Sequence, residues 1–153
     1  MILIAITLIE NGLILYIVDK KSKSNIKYEK INLKESMLIG MSQGLAAAFP
    51  GVSRSGITMT VARALGIDRE SAARYSFLLA TPITAAAVIF EFKNFDLGSI
   101  SFWLGILTSF IVGILIIKFL MEYLKKGSFK GFAVYRIIVG IIVIGFAIAK
   151  LTM

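Results

Sequence analysis

Long apolar stretches constrain the fold of this chain more than any other feature. A helix that crosses the hydrocarbon core of a bilayer needs about 20 mainly apolar residues. Four stretches reach or approach this length: 1–18, 71–92, 99–121 and 131–151. The mean hydropathy of the chain is +0.86, and 58% of its residues are hydrophobic, well above the usage of a soluble domain. The sequence therefore predicts an all-α integral membrane protein, a single domain with four transmembrane helices.

A fifth apolar segment, 36–66, is interrupted in its middle. A Pro-Gly pair at position 50 and a Ser-Arg-Ser triplet at position 53 leave two arms, and each arm is too short to cross a hydrocarbon core of ~30 Å. Two such arms that enter the bilayer and return to the same side form a re-entrant helical hairpin. Gly66 is suited to end the second arm, and Asp68 is suited to cap the helix that follows.

Loop charge supports this hairpin, because cytoplasmic loops collect Lys and Arg. The basic loop 19–35 and the segment 118–130 are both rich in Lys, which places both on the cytoplasmic side. The spans 71–92 and 99–121 cross the membrane out and back between them. Segment 36–66 must therefore begin and end on the same side, as a re-entrant pair does and a single crossing does not.

Arg54 lies inside this interrupted segment, where a charge is costly. An Arg at the bilayer centre costs at least ~2.5–3.5 kcal/mol on insertion scales, so some group must compensate it. A phosphate does so well, because the guanidinium is a planar fork of donors that keeps its proton. The alternative is a polar turn at the membrane surface from which Arg54 snorkels to water.

The residues around Arg54 fit the same ligand. A helix that starts near Ser55 or Gly56 directs unpaired N–H groups and a positive dipole end at an anion, and helical spacing puts Arg54, Ser55 and Thr58 on one face. Packing is an equal alternative for Gln43, and Arg63, on another face, is expected to snorkel or to pair with a partner. The candidate phosphate-binding residues are Gln43, Gly51, Ser53, Arg54, Ser55, Gly56 and Thr58.

Several kinds of chemistry find no support in the sequence. The chain contains no Cys and no His, so thiolate or imidazole metal sites, Cys nucleophiles and Ser-His pairs are excluded within it. Neither a dinucleotide-binding Gly pattern nor a Walker motif is present. The net charge of +8 comes with Lys clusters in short loops and without interleaved aromatics, so nucleic acid is not an expected partner.

Two segments carry a family resemblance: Gly40-Met-Ser-Gln-Gly-Leu-Ala-Ala-Ala-Phe-Pro-Gly-Val-Ser-Arg-Ser-Gly56 and Ser71-Ala-Ala-Arg-Tyr-Ser-Phe-Leu-Leu-Ala-Thr-Pro82. Over most of its length the chain resembles the undecaprenyl-diphosphate phosphatase (bacitracin-resistance) family. The resemblance implies a multi-pass enzyme of the bacterial plasma membrane that hydrolyses undecaprenyl diphosphate. The product, undecaprenyl phosphate, is the recycled lipid carrier of cell-wall synthesis, and bacitracin resistance follows from competition for the diphosphate.

Carried over by position, Arg54 matches the family's charge stabiliser, and Ser53 or Thr58 matches a residue that contacts the reacting phosphate. Gln43 matches a polar position on the first arm of the hairpin. The resemblance covers only the second of the family's two inverted repeats. The first repeat, with its glutamate-rich motif and a Ser-Ser-Gly-His element, is expected to supply the ligands of a divalent cation (Mg or Ca) and the candidate base.

This partial match leaves three interpretations open. The chain is half of a phosphatase that is completed by a complementary N-terminal half or by a homodimer, half of a lipid-carrier transporter or flippase, or a non-catalytic membrane remnant. Broken helices near the bilayer midplane are also typical of transporters. The charge count places both ends of the hairpin near the cytoplasm, whereas the resemblance implies that the site opens to the outer face.

Overall fold

The computed structural model describes residues 2–152, except for the side chains at 126 and 150–152. The described part contains the helices α1 (Ile2–Lys21), α2 (Leu33–Ala48), α3 (Arg54–Ala64), α4 (Arg69–Glu91), α5 (Ile100–Lys126) and α6 (Lys130–Thr152). Short 3-10 turns at Tyr28–Lys30 and Phe92–Asn94 lie before α2 and after α4. The predicted all-α class is confirmed.

Four of these helices are long and apolar enough to cross a membrane, namely α1, α4, α5 and α6. They correspond to the four spans that the sequence predicts. Two run past their predicted ends: α1 continues from 18 to Lys21, and α5 continues from 121 to Lys126. Both extensions contain Lys, a good helix former whose long side chain can reach the membrane surface.

The interrupted segment forms two helices joined by a short turn, as predicted. At a rise of 1.5 Å per residue, α2 is about 24 Å long and α3 about 17 Å, from their 16 and 11 residues. Each is shorter than a hydrocarbon core, and the two pack against each other. The structure thus contains the helical hairpin, while its re-entrant placement in a bilayer stays a prediction.

Local capping and turn residues explain where α2 and α4 begin and where α3 ends. The Asn32 side chain accepts a hydrogen bond from the N–H of Glu35, whose carboxylate accepts one from the N–H of Asn32, and this capping box starts α2. The Asp68 side chain accepts from the N–H of Ser71 and starts α4. Gly66 has a positive φ of 86° just after α3. The predicted turn at Gly66 and the predicted cap at Asp68 are both confirmed.

Helix α3 lies among three neighbours, because it packs on α1, α2 and α4, while α1 also packs along α6. The turn before α3 touches Ile4 and Thr7, near the start of α1. The end of α3 reaches Asp19, near the end of α1, through Arg63. Helices α1 and α3 therefore run in the same direction, and the contacts at the two ends of α3 are about 18 Å apart along α1.

A candidate phosphate-binding site at the start of α3

The turn that joins α2 to α3, residues 49–53, is here called the hairpin tip, and it is fixed against α1. The Thr7 hydroxyl donates to the carbonyl oxygen of Pro50 at 3.0 Å. Gly51 has a φ of 90°, and a Cβ there would lie 2.7 Å from the carbonyl oxygen of Ile4. Close packing on α1 thus requires Gly51. The contact of this glycine with substrate stays a prediction.

Ser53 caps α3 and leaves part of its first turn open. Its hydroxyl oxygen accepts from the N–H of Gly56 at 3.2 Å and lies 3.2 Å from the hydroxyl of Ser55. Among the described residues, no acceptor faces the backbone N–H groups of Arg54 and Ser55. Free N–H groups and the positive dipole end of a helix make this first turn suitable for an anion.

Arg54 projects from this turn as a partly exposed side chain. Within residues 2–152, its guanidinium has neither a hydrogen-bond acceptor nor a carboxylate within ion-pair distance. Such a cation is free to bind a ligand, and its fork of donors suits phosphate oxygens. Ser53, Arg54, Ser55 and Gly56 are thus brought together at one helix terminus, as the sequence predicts for these residues.

Thr58 is placed differently from Arg54 and Ser55. Its side chain is only 1% exposed, and its hydroxyl lies 2.6 Å from the hydroxyl of Ser76 in α4. The hydroxyl is also within bonding distance of the carbonyl oxygen of Ser55 at 3.0 Å. Thr58 therefore joins α3 to α4 in this structure, and its contact with a phosphate stays a prediction.

Gln43 occupies the first arm of the hairpin and is partly buried. Its Oε1 atom is buried and has no hydrogen-bond donor among the described residues. Buried polar atoms in folded proteins normally have a partner. This amide thus has spare bonding capacity, and its contact with substrate stays a prediction.

Arg63, at the opposite end of α3, is fully buried and fully bonded. Its Nε donates to Asp19 at 2.8 Å, its Nη1 donates to the carbonyl of Ile67 at 2.6 Å, and its Nη2 donates to the carbonyl of Ser22 at 3.1 Å. Asp19 also pairs with Arg69 at 2.8 Å. The expectation that Arg63 pairs with a partner is confirmed, and the predicted basic loop folds around it.

One residue near the site was missed by the sequence reasoning. Arg136, in α6, is 4% exposed, and its guanidinium packs against Gly56 and lies 5.0 Å from the centroid of the Phe132 ring. The rule that singled out Arg54 also applies to Arg136, because both are cations inside apolar stretches. The signal was therefore present in the apolar stretch 131–151.

The carboxylates that the structure describes do not form a cation site by themselves. Among the described residues, no group of three Asp or Glu side chains could hold a metal ion. Asp19 is engaged by two arginines, and Asp68 and Glu35 cap helices. These donors do not fit a divalent cation, so the cation stays an expectation from the family resemblance.

A cavity of about 570 Å³ lies away from the hairpin tip. Its walls come from the loop after α1, the start of α4 and the end of α5, and they include Tyr28, Arg69, Arg74 and Lys125. These residues lie near the Arg63 end of α3. The cavity therefore does not contain the residues that the sequence predicts to bind phosphate.

The fold and this site define a multi-pass α-helical membrane protein. At the tip of a short hairpin it presents an arginine that no described side chain neutralises and the N-terminus of α3. The sequence matches the bacitracin resistance protein BacA family over residues 1–142. The chain belongs to this family.

Curated relatives agree with this assignment. The chain is 45% identical to the undecaprenyl-diphosphatase of Pelotomaculum thermopropionicum over 151 residues, which cover 97% of this chain and 57% of the relative. It is 42% identical to the Moorella thermoacetica undecaprenyl-diphosphatase over 94% of this chain and 55% of the relative. It is 45% identical to the Elusimicrobium minutum undecaprenyl-diphosphatase over 96% of this chain and 57% of the relative. The chain spans about half the length of these relatives.

Proposed function

We propose that this chain supplies the phosphate-binding half of an undecaprenyl-diphosphatase of the bacterial plasma membrane. The reaction is the hydrolysis of undecaprenyl diphosphate to undecaprenyl phosphate and inorganic phosphate, which recycles the lipid carrier and confers bacitracin resistance. The observation that carries the proposal is that, within the described residues, the Arg54 guanidinium has no partner and lies beside free N–H groups of the first turn of α3. The names of the relatives support the same substrate.

In this hydrolysis a water oxygen forms a bond to the terminal phosphorus. The bond from that phosphorus to the bridging oxygen breaks, and the lipid monophosphate leaves with the bridging oxygen. Catalysis of phosphoryl transfer depends mainly on position and charge stabilisation. Arg54 and the N–H groups of α3 supply that stabilisation, and the Ser53 hydroxyl is positioned to donate to a phosphate oxygen.

The proton of the attacking water needs an acceptor, and no carboxylate in residues 2–152 lies within ion-pair distance of Arg54. The chain has no His, Asp19 is held in ion pairs, and Glu35 and Asp68 cap helices. A complementary N-terminal half therefore provides the base, because a second copy of the chain also lacks His. The same partner holds the divalent cation that the family resemblance implies.

The packing of α3 along α1 supports access from the outer face. The hairpin tip lies beside the start of α1, whereas Lys20 and Lys21 lie at the end of α1. If those lysines mark the cytoplasmic side, the tip points toward the opposite face. Both ends of the hairpin are then cytoplasmic while the phosphate site opens outward, which reconciles the charge count with the family resemblance.

The proposal is tested by phosphate release from undecaprenyl diphosphate in detergent with magnesium. The purified chain is assayed alone and after co-expression with the N-terminal half of a relative, beside the full-length relative. We expect release only from the combination, and we expect it to disappear with Arg54→Ala. An inactive combination that nevertheless binds the diphosphate would favour a transporter half, and a chain that neither binds nor hydrolyses it would favour a non-catalytic remnant.

A further inference from the structure

Arg136 is a buried cation that the described part of the chain does not neutralise. Its side chain lies in the membrane-spanning helix α6 and is 4% exposed. Its Nη1 atom has no hydrogen-bond acceptor among the described residues, and none of their ion pairs includes it. The Phe132 ring, 5.0 Å away, is its only described cation–π partner. Buried charges are normally paired, so this guanidinium is available to an anion.

The position of Arg136 indicates where that anion binds. A Cβ at position 56 would lie 2.8 Å from both Cζ and Nη2 of Arg136 and would also clash with Nη1. The guanidinium therefore lies directly against the first turn of α3. Gly56 is also the residue whose N–H is bonded to the Ser53 cap. The unpaired donor, the cap and the free N–H groups thus share one end of α3.

Two glycines keep Arg136 in this place. Gly56 leaves room for the guanidinium, because any side chain there would displace it. Gly12, in α1, faces the other end of the side chain: a Cβ there would lie 3.2 Å from the Cβ of Arg136 and 3.2 Å from the carbonyl oxygen of Ala133. Close packing of α1, α3 and α6 thus holds the arginine beside the phosphate site.

We propose that Arg136 is a second phosphate-binding residue, which donates from Nη1 to the diphosphate headgroup of a lipid bound at the first turn of α3. This inference rests on the proposed function for the identity of the ligand. Arg54 approaches the headgroup from α3, and Arg136 approaches it from α6. Two guanidinium groups suit a diphosphate, whose charge exceeds that of a single phosphate.

Anion binding without turnover tests this role. The full chain in detergent is heated with increasing inorganic pyrophosphate, because a ligand that binds only the folded state raises the unfolding temperature. The variant is Arg136→Met, which keeps much of the volume and removes the charge. The matched control is Arg74→Gln, which removes an arginine whose guanidinium lies over the Tyr28 ring, outside the site. A parallel titration uses farnesyl diphosphate, which adds a prenyl tail.

We expect pyrophosphate to stabilise the unmodified chain and Arg74→Gln equally, and we expect Arg136→Met to need a concentration about tenfold to a hundredfold higher, as for loss of a charge-assisted hydrogen bond. Farnesyl diphosphate is expected to act at lower concentration than pyrophosphate. An undiminished response in Arg136→Met, or no response in the unmodified chain, would overturn the inference. Equal responses to both ligands would overturn the assignment to a lipid.

A second variant keeps the test decisive if Arg136→Met does not fold. Gly56→Ala retains both arginines and displaces the Arg136 guanidinium, so it is expected to weaken the pyrophosphate response as well. The result for anion binding by Arg136 can also be distinguished from the result for the proposed hydrolysis. Pyrophosphate stabilisation that depends on Arg136, in a chain that releases no phosphate with any partner, would support this inference and refute the proposed function.

Discussion

A buried arginine lies at each end of α3, Arg63 within its last turn and Arg136 of α6 against its first turn, and the protein surrounds these two side chains in opposite ways. Arg63, at the C-terminal end, donates to Asp19 and to three other residues, Ser22, Ser24 and Ile67. Arg136 lies against the N-terminal end, and its Nη1 has no acceptor among the described residues. The arginine at the C-terminal end thus has a full set of hydrogen-bond acceptors, whereas the arginine at the N-terminal end has a buried donor without an acceptor among the described residues.

The difference separates a structural role from a ligand-binding role. A buried charge with a complete set of partners ties elements together, and here Arg63 ties α3 to the end of α1 and to the basic loop. A buried charge without partners lowers stability unless a ligand supplies them. The N-terminal end of α3 is therefore the end that is suited to an anion, and the C-terminal end holds the fold together.

The largest expected loss of stability comes from removing the counter-charge of Arg63 at the C-terminal end of α3. Asp19→Asn leaves Arg63 buried without its counter-charge, and the free energy of unfolding should fall by about 3–5 kcal/mol. Unfolding of the chain in detergent measures this loss. The matched control is Glu70→Gln, which breaks a partly exposed pair with Lys125 whose N–O distance is 3.8 Å and should cost at most ~1 kcal/mol. Equal losses would contradict the structural role of Asp19.

The glycines that flank α3 provide the next comparison. Gly51 and Gly66 both have positive φ, but a Cβ at Gly51 would meet the backbone of Ile4, whereas at Gly66 its nearest described neighbour is 3.8 Å away. Gly66→Ala should cost about 1–2 kcal/mol of unfolding free energy from backbone strain. Gly51→Ala should cost about 3 kcal/mol, because steric overlap adds to the strain. The same unfolding assay compares them, and a reversed order would refute the close packing of the hairpin tip on α1.

Arg54→Ala tests the proposed ligand-binding end of α3 without disturbing the fold. In the chain co-expressed with the N-terminal half of a relative, phosphate release should fall about a hundredfold or more, as for loss of a key charge stabiliser. The free energy of unfolding should change by less than ~0.5 kcal/mol, because no described group bonds to this guanidinium. Arg54→Lys should also be poor, since a point charge does not replace a bidentate fork. Full activity of the lysine variant would reduce the role of Arg54 to charge compensation.

The smallest of these expected effects on stability and phosphate release is at Thr58, which lies between the two ends of α3. Thr58→Val removes the bond to Ser76 and should lower the free energy of unfolding by about 1 kcal/mol. Thr58→Ser keeps the hydroxyl and serves as the control. A loss of phosphate release beyond about tenfold in Thr58→Val alone would mean that the hydroxyl also contacts the reacting phosphate, as the family resemblance implies.

Much of the fold is predictable from local sequence. The four spans follow from the length of the apolar stretches, and the interruption at positions 50–55 predicts the hairpin. The cap at Asp68 and the turn at Gly66 follow from residue type and spacing alone. The end of α5 was predicted five residues early, because a basic extension continues a helix without being apolar.

The candidate site is predictable only in part. Ser53, Arg54, Ser55 and Gly56 are adjacent in sequence, so a single helix start assembles them. The hydroxyl of Thr58 was expected to join them, but a bond to Ser76, eighteen residues further along the chain, turns it toward α4. Helical spacing predicts which face a residue occupies, and it does not predict which neighbour covers that face.

The sequence by itself thus determined that the chain is an α-helical membrane protein with a candidate phosphate-binding motif, because hydropathy, caps and the cluster around Arg54 are local properties. Only the tertiary structure decided that Asp19 neutralises Arg63 and that Arg136 lies against Gly56. Along the sequence, the first pair is separated by 44 positions and the second pair by 80 positions. Helix packing fixes such contacts, because the glycines and small residues that let helices approach act only once the helices are side by side.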